Sequence, residues 1–466
     1  MREQSQTTRR LFLKRAGAAG AAAWALPQIL PSRALGAAGD KVNVALLACG
    51  GRTRQLLGDI LRGGTNVVAV CDVSASRIAQ LKQEAAAKNG PAGEAVGKAT
   101  EYEDYRKLLE TEKSVDAVVI AAGQRWHTPL SKAALAAGKH VFCEKPLAHS
   151  PAEARELREL GRTTKLATQV GSQGGTTDTF RRSMELIQAG LLGQIKETHC
   201  WINRGFPPSA AVDQNADPIP DGLNWDFWCG PSPLLPFKRY YLGGCLAWGR
   251  WLAFGDGHLA DMGAHGLNLP WRALKLTAPI KASVEIPEPL KDSYPSATKF
   301  RWDFAAREGF EPTALFWHDG GKAGPPEEFG KELLTTYNKV PTDGVLFVGE
   351  KGMLYSNAWG VGGIMKLKGD AKFRGVQDHE AGKAVPVTVP RFKGQNHIGE
   401  WLEACRGNGK TFQGFATAAT IAEVAMVGMV ALRLGKPIEW DSEALKVKGE
   451  PEADKFVHLE QRKKWL

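Results

Sequence analysis

Val42-Asn43-Val44-Ala45-Leu46-Leu47-Ala48-Cys49-Gly50-Gly51-Arg52-Thr53 is a short apolar run that ends in a pair of glycines. A run of this kind predicts a strand buried on both faces, and the glycines predict a tight turn into a helix over 52–61. In a Gly-x-Gly-x-x-Gly turn between strand and helix, the middle glycine lets the backbone approach a pyrophosphate resting on the helix N-terminus. Only that glycine, Gly50, is kept here; Ala48 and Thr53 occupy the other two places. Asp72 closes the next predicted strand, 66–71, at about the 20-residue distance where a carboxylate receives the ribose hydroxyls of a dinucleotide. The plainer alternative is a glycine turn in an ordinary βα unit.

Outward from this stretch the alternation continues. Strands are predicted at 115–121, 140–143 and 166–170, and helices at 76–88, 129–137 and 151–161. This is the pattern of a doubly wound parallel sheet in an α/β domain. After Gly171 the texture changes. A helix over 178–189 leads into a strand at 195–203, followed by Pro- and Gly-rich loops from 206 to 258. Segments 281–286, 299–304, 314–317, 345–348 and 352–355 then alternate with period two. They predict an α+β domain built on an open, largely antiparallel sheet, closed by helices over 398–405 and 416–434.

Ahead of the first strand, Thr8-Arg9-Arg10-Leu11-Phe12-Leu13-Lys14 reads as a twin-arginine export signal. The apolar stretch behind it is broken by Gly17, Gly20, Pro27 and Pro31, and small residues follow for cleavage, so residues 1–39 read as a removable signal with no stable membrane insertion afterwards. The expected location is periplasmic or secreted. The expected domains are 1–39 signal, 40–172 nucleotide-binding and 173–466 substrate-binding. Six of the 60 basic residues and one of the 50 acidic ones lie in 1–39, so the net charge falls from +10 to +5 beyond it. No basic stripe remains, which excludes nucleic acid as a partner. The seven cysteines are scattered without a Cys-x-x-Cys pair, which excludes a zinc module and a disulfide framework.

Two clusters carry chemistry. Glu144-Lys145-Pro146 follows strand 140–143 at the carboxyl edge of the sheet, where doubly wound domains bind ligands; a surface ion pair is the alternative. Asp261-Met262-Gly263-Ala264-His265 sets a carboxylate and an imidazole four apart on one helical face, an arrangement in which the acid orients a proton-accepting His. A helix-surface pair reads the same way. With His258 three residues before Asp261, a metal site is a further alternative that lacks a fourth ligand.

Taken with Trp126-His127, residues 137–147 (Ala-Gly-Lys-His-Val-Phe-Cys-Glu-Lys-Pro-Leu), Gln169 to Gln173 and the late Gly344-Val345-Leu346-Phe347-Val348-Gly349, these motifs resemble the Gfo/Idh/MocA family over residues 41–466. The resemblance implies NAD, with NADP possible, held between a Rossmann domain and an open sheet that serves in a homo-oligomer, a dimer or tetramer. It implies Lys145, Asp261 and His265 at the reaction centre. It further implies cofactor contacts from Cys49, Gly50, Gly51, Arg52 and Asp72, from Arg77 and Ala122, and from His127, Glu144, Lys145 and Gln173. Gly174 and His258 depart from the family pattern and leave the substrate open. Trp201, Trp225, Trp228, Trp248 and Trp251 offer indoles that stack on a sugar or pack in a core. Of these Trp225 and Trp251, with Arg204 and His258, are the expected substrate contacts; no metal is expected. Three functions fit: an oxidoreductase acting on a sugar, glycoside or polyol with a cofactor that does not dissociate, a redox-neutral glycoside-cleaving enzyme, and a non-catalytic sensor.

Overall fold

The computed structural model describes residues 41–465. The twin-arginine motif lies outside the described residues. The fingerprint strand β1 (Val42–Leu47) is followed by β2 (Thr65–Cys71), β3 (Thr100–Tyr102), β4 (Ala117–Ile120), β5 (His140–Cys143) and β6 (Thr168–Val170). They form one parallel sheet in the order β3-β2-β1-β4-β5-β6. β1 lies between β2 and β4, where the strand order reverses, and the crevice beyond that switch point is the ligand site of doubly wound sheets. The apolar reading of β1 holds because helices cover both faces of the sheet. Three short elements gave no such signal: β3, which is largely exposed, and the helices Gly90–Val96 and Tyr105–Thr111. The helix after β4 begins at Gln124 and carries Pro129 inside it, five residues earlier than expected.

The second sheet has ten strands: β7 (Ile195–Ile202), β8 (Lys281–Glu285), β9 (Thr298–Phe304), β10 (Thr313–Asp319), β11 (Asp343–Gly349), β12 (Gly352–Ser356), β13 (Ile364–Leu367), β14 (Arg374–Gly375), β15 (Ile438–Asp441) and β16 (Lys446–Val447). The order is β14-β13-β12-β11-β7-β10-β9-β8-β15-β16. The β7–β10 pair is parallel; every other neighbouring pair is antiparallel. β9 shows why the period-two reading works, since Phe300, Trp302 and Phe304 are buried while Lys299 and Arg301 between them are exposed.

The helix Phe415–Leu434 packs on that buried face. A Cβ on Gly428 would stand 2.6 Å from the Trp302 ring, so only glycine lets helix and sheet approach this closely. The helix is long and apolar enough to cross a membrane, yet it is apolar on all sides because it is buried on all sides. Phe415, Ala418, Ala419 and Ala422 pack in the core of the first domain, and Ile421 and Val424 onward pack in the core of the second. Arg155 and Arg158 of the first domain also pair with its Glu423. With Ile398, Trp401 and Leu402 on the first domain too, a division at residue 172 separates the two sheets but not the helices.

Candidate active site between the two domains

A cavity of about 1090 Å³ opens at the carboxyl edge of the parallel sheet, walled by both domains. At its first-domain end Ala48 has φ 76, the left-handed conformation for which the fingerprint normally supplies glycine. The Thr53 hydroxyl donates to the Ala48 carbonyl at 2.6 Å, so one departure from the pattern holds the turn that the other strains. Gly50 lines the cavity, and a Cβ there would meet no atom within 4 Å, so it would stand in the open space. The helix Gly51–Arg62 has no side-chain cap, which leaves its first N–H groups for an anion. These features fit a dinucleotide. Asp72 also lines the cavity while its carboxylate accepts from Cys49 N at 2.7 Å and Ser74 N at 2.9 Å, and burial pushes its pKa up. Arg77 stands beside it, its Nη2 3.4 Å from the Leu242 carbonyl. Cys49 is corrected: it is fully buried, it does not line the cavity, and its N–H is taken by Asp72.

At the other end, Lys145 Nζ lies 2.5 Å from Asp261 Oδ1, and Arg204 Nη2 lies 2.8 Å from Asp261 Oδ2. Lys145 lines the cavity; Asp261 and Arg204 do not. Asp261 therefore orients two cations and makes no hydrogen bond to His265, contrary to the reading from their spacing. The helix is also interrupted at Met262, between Gly257–Asp261 and Gly263–Gly266. Arg204, expected as a substrate contact, is an ion-pair partner of Asp261 and stands outside the cavity wall. His265 lines the cavity. Its Nδ1 is buried without a partner, and its ring packs 5.7 Å from that of Trp359.

Burial, reinforced by the Lys145 charge, holds the His265 imidazole well below its ordinary pKa, so it is neutral at pH 7. Burial opposes the charge on Lys145, but Asp261 and then Glu144 raise its pKa and keep it cationic. Lys145 and Arg204 take the Asp261 carboxyl down to about 2 against its own burial. The site thus holds a fixed ammonium beside a neutral base. Glu144 is buried and ion-paired to Arg52 at 2.7 Å, which ties the fingerprint helix to the strand that carries Lys145. Ala122 and Gln173 complete this wall.

His127 is corrected. Nδ1 is 2.5 Å from the Pro146 carbonyl and Nε2 3.0 Å from that of Ala122. Both nitrogens face main-chain carbonyls, the neutral ring donating to one of them, and burial lowers its pKa to about 4. It ties the Lys145 loop to the end of β4. His258 is also corrected: it is buried outside the cavity wall, with its ring stacked on Phe206 at 4.0 Å. Among the described residues no His, Cys, Asp and Glu gather as a metal site.

The tryptophans divide. Trp201, Trp225 and Trp251 are buried in apolar clusters, with Trp225 Nε1 donating to the Leu235 carbonyl at 2.8 Å. This corrects Trp225 and Trp251 as substrate contacts. Trp228 and Trp248 line the cavity instead, together with Trp126 and Trp359. Sequence gave no means to sort them, because the 206–258 region is irregular and has no period. Arg125, unsignalled in the sequence, is buried in the wall with its guanidinium 3.9 Å above the Trp228 ring and donates to the Trp228 and Cys229 carbonyls. Cys245 is the one exposed cysteine among the seven, and it also lines the cavity.

Residues 42–172 match the model described as "Oxidoreductase family, NAD-binding Rossmann fold", Gfo/Idh/MocA. The chain matches this family model over its first domain. Over 137 residues, 29% of this chain and 38% of the relative, it is 32% identical to inositol 2-dehydrogenase of Salmonella typhimurium. Over 127 residues, 27% of this chain and 28% of the relative, it is 33% identical to a glycosyl hydrolase family 109 protein of Stenotrophomonas maltophilia. The chain thus spans well under half the length of these curated relatives. Among solved structures, levoglucosan dehydrogenase in complex with NADH and levoglucosan superposes with TM-score 0.56 at 16% identity, over 86% of this chain and 99% of that one. Aldose–aldose oxidoreductase of Caulobacter crescentus gives 0.57 at 15%, over 86% and 100%. These likenesses extend the shared fold to both domains.

Proposed function

We propose that the protein is an NAD-dependent oxidoreductase acting on a CH–OH group of a sugar, glycoside or polyol. The observation that carries this reading is the shared cavity: the dinucleotide cradle at Gly50 and Asp72 and the Lys145–His265 pair open into one space. Lys145 would donate a hydrogen bond to the substrate hydroxyl oxygen, and neutral His265 would take its proton. NAD, when bound, supplies the hydride acceptor, so that the C–H electron pair leaves with the hydrogen and a carbonyl remains. Asp261 is a positioning residue, since it reaches the reaction only through Lys145. Trp228 and Trp248 would face the sugar's C–H surface.

We further propose export by the twin-arginine route as a folded protein with its cofactor aboard, and assembly as a homo-oligomer. A cofactor working outside the cytoplasm cannot be exchanged with a cytoplasmic pool, so it stays bound and the reaction closes its own redox cycle. The likeness to a glycosyl hydrolase family 109 protein favours one second reading, transient oxidation of a glycoside followed by cleavage and re-reduction. Incubating about 10 μM purified protein with sugars, polyols and aryl glycosides, so that a single-turnover reduction of its own bound NAD is visible at about 340 nm, while following released aglycone on the order of micromolar per minute, separates the readings. NADH without aglycone marks the oxidoreductase, and aglycone without net NADH marks the cleaving enzyme. Neither signal from any substrate refutes both.

A further inference from the structure

The cavity's first-domain end is covered by a segment of the second domain. After β6 the chain leaves the first domain, but residues 220–224 return to the end of β2. Ala75 N donates to the Gly222 carbonyl at 3.0 Å, Asn224 N donates to the Val73 carbonyl at 2.9 Å, and Ser74 and Leu223 form an antiparallel bridge between them. Asn224 Nδ2 donates to Glu103 Oε1 at 2.5 Å, while Asn224 Oδ1 caps the helix Trp225–Cys229. A second pass of the same segment meets Arg77 at the Leu242 carbonyl. Pro220, Asp221, Leu223 and Leu242 line the same cavity as Asp72 and Arg77.

We infer that this segment is a strap that forms the outer half of the adenosine pocket and retains the dinucleotide. The inference rests on the proposed NAD-dependent reading and adds a residue set to it. Asp72 marks the adenosine ribose position, and the strap residues joined to Val73, Ser74 and Ala75 wall the same space. A dinucleotide seated there leaves only after the main-chain bonds to Gly222 and Val73 part. The strap also engages Arg77 through the Leu242 carbonyl. A cofactor held between two domains in this way behaves as a resident group.

The test measures release. Ala75 is the first residue of its helix, where proline is tolerated because that N–H has no helical partner. Ser74 before it is extended, at φ −126 and ψ 110, as a residue preceding proline must be. Ala75→Pro therefore deletes the bond to Gly222 and spares the helix. Glu103→Ala deletes the side-chain bond to Asn224. NADH is loaded on the full-length protein, chased with excess NAD, and followed by fluorescence; melting without nucleotide reports folding. The double variant is expected to release NADH about tenfold faster than wild type with unchanged melting, and Glu103→Ala alone, which remains readable if the proline variant misfolds, about threefold. Release at the wild-type rate from a folded variant overturns the strap alone. A wild-type protein that binds no dinucleotide overturns the cofactor reading and the strap with it.

Discussion

Replacing Asp261 by Asn removes one charge from a triad and leaves its shape intact. The carboxylate sits 2.5 Å from Lys145 and 2.8 Å from Arg204, and the side chains are 12%, 16% and 35% exposed in the order Asp261, Lys145, Arg204. Breaking a buried pair by removing one partner costs roughly 3–5 kcal/mol, whereas the half-exposed Arg204 contact adds little. Linkage gives a similar size. A carboxyl lowered from 3.8 to about 2 contributes about 2 kcal/mol at neutral pH. That contribution is complete above pH 3.8 and is lost as pH falls through about 2. Urea denaturation at pH 7 should show D261N less stable by about 3 kcal/mol, and the deficit should shrink in acid. The Lys145 pKa should also fall, because burial then acts on it without its main counter-charge, and the alkaline limb of the pH–rate profile should move down with it. In the double variant D261N/K145M part of the stability should return. Equal stability of D261N and wild type at pH 7, or a deficit that does not change with pH, refutes the triad.

Lys145→Ala or His265→Ala should lower turnover roughly 100-fold with the fold retained, which substrate-panel kinetics and circular dichroism check together. Because the folded pKa of His265 lies well below 6.5, activity should hold steady as pH falls through 6.5 and decline only in more acidic solution. A half-maximum at 6.5 would place the base elsewhere. Ala48→Gly should stabilise the first domain by about 0.5–1 kcal/mol, since glycine relieves the left-handed strain of about 1–2 kcal/mol and returns part of it as chain entropy; thermal melting reads this. Wild-type protein stripped of nucleotide should bind NADH more tightly than NADPH in a fluorescence titration, and Asp72→Ala should narrow the gap. Arg9→Lys with Arg10→Lys should leave the protein in the cytoplasm on fractionation, and normal export of that variant refutes the signal.

The parts legible in the sequence are those whose environment is uniform along the chain. β1, β5 and the helix Phe415–Leu434 are mostly apolar because both sides are largely buried, and β9 alternates because one side is. Short edge elements such as β3 and β14 lack enough residues to show a period. At the site, Lys145 and His265 stand out in the sequence because each is attached to a readable element. The partner of Asp261 was misassigned because spacing along a helix says nothing about a strand from another domain, and Lys145 is 116 positions away. The tryptophans were equally opaque, since whether an indole in an irregular loop faces a core or a cavity is decided by tertiary packing alone. Thr53, which looked like a loss from the fingerprint, proved to hold the turn that Ala48 strains.

The helix that belongs to two cores also sets an order of events at the ribosome. Phe415, Ala418 and Ala419 close the apolar face of the first domain, yet they are synthesised after almost all of the second. A nascent chain stopped anywhere before them presents a parallel sheet with part of one flank uncovered. Neither half can mature as a separate module, so any inspection of foldedness before release meets one all-or-none object, complete only when its last long helix has docked.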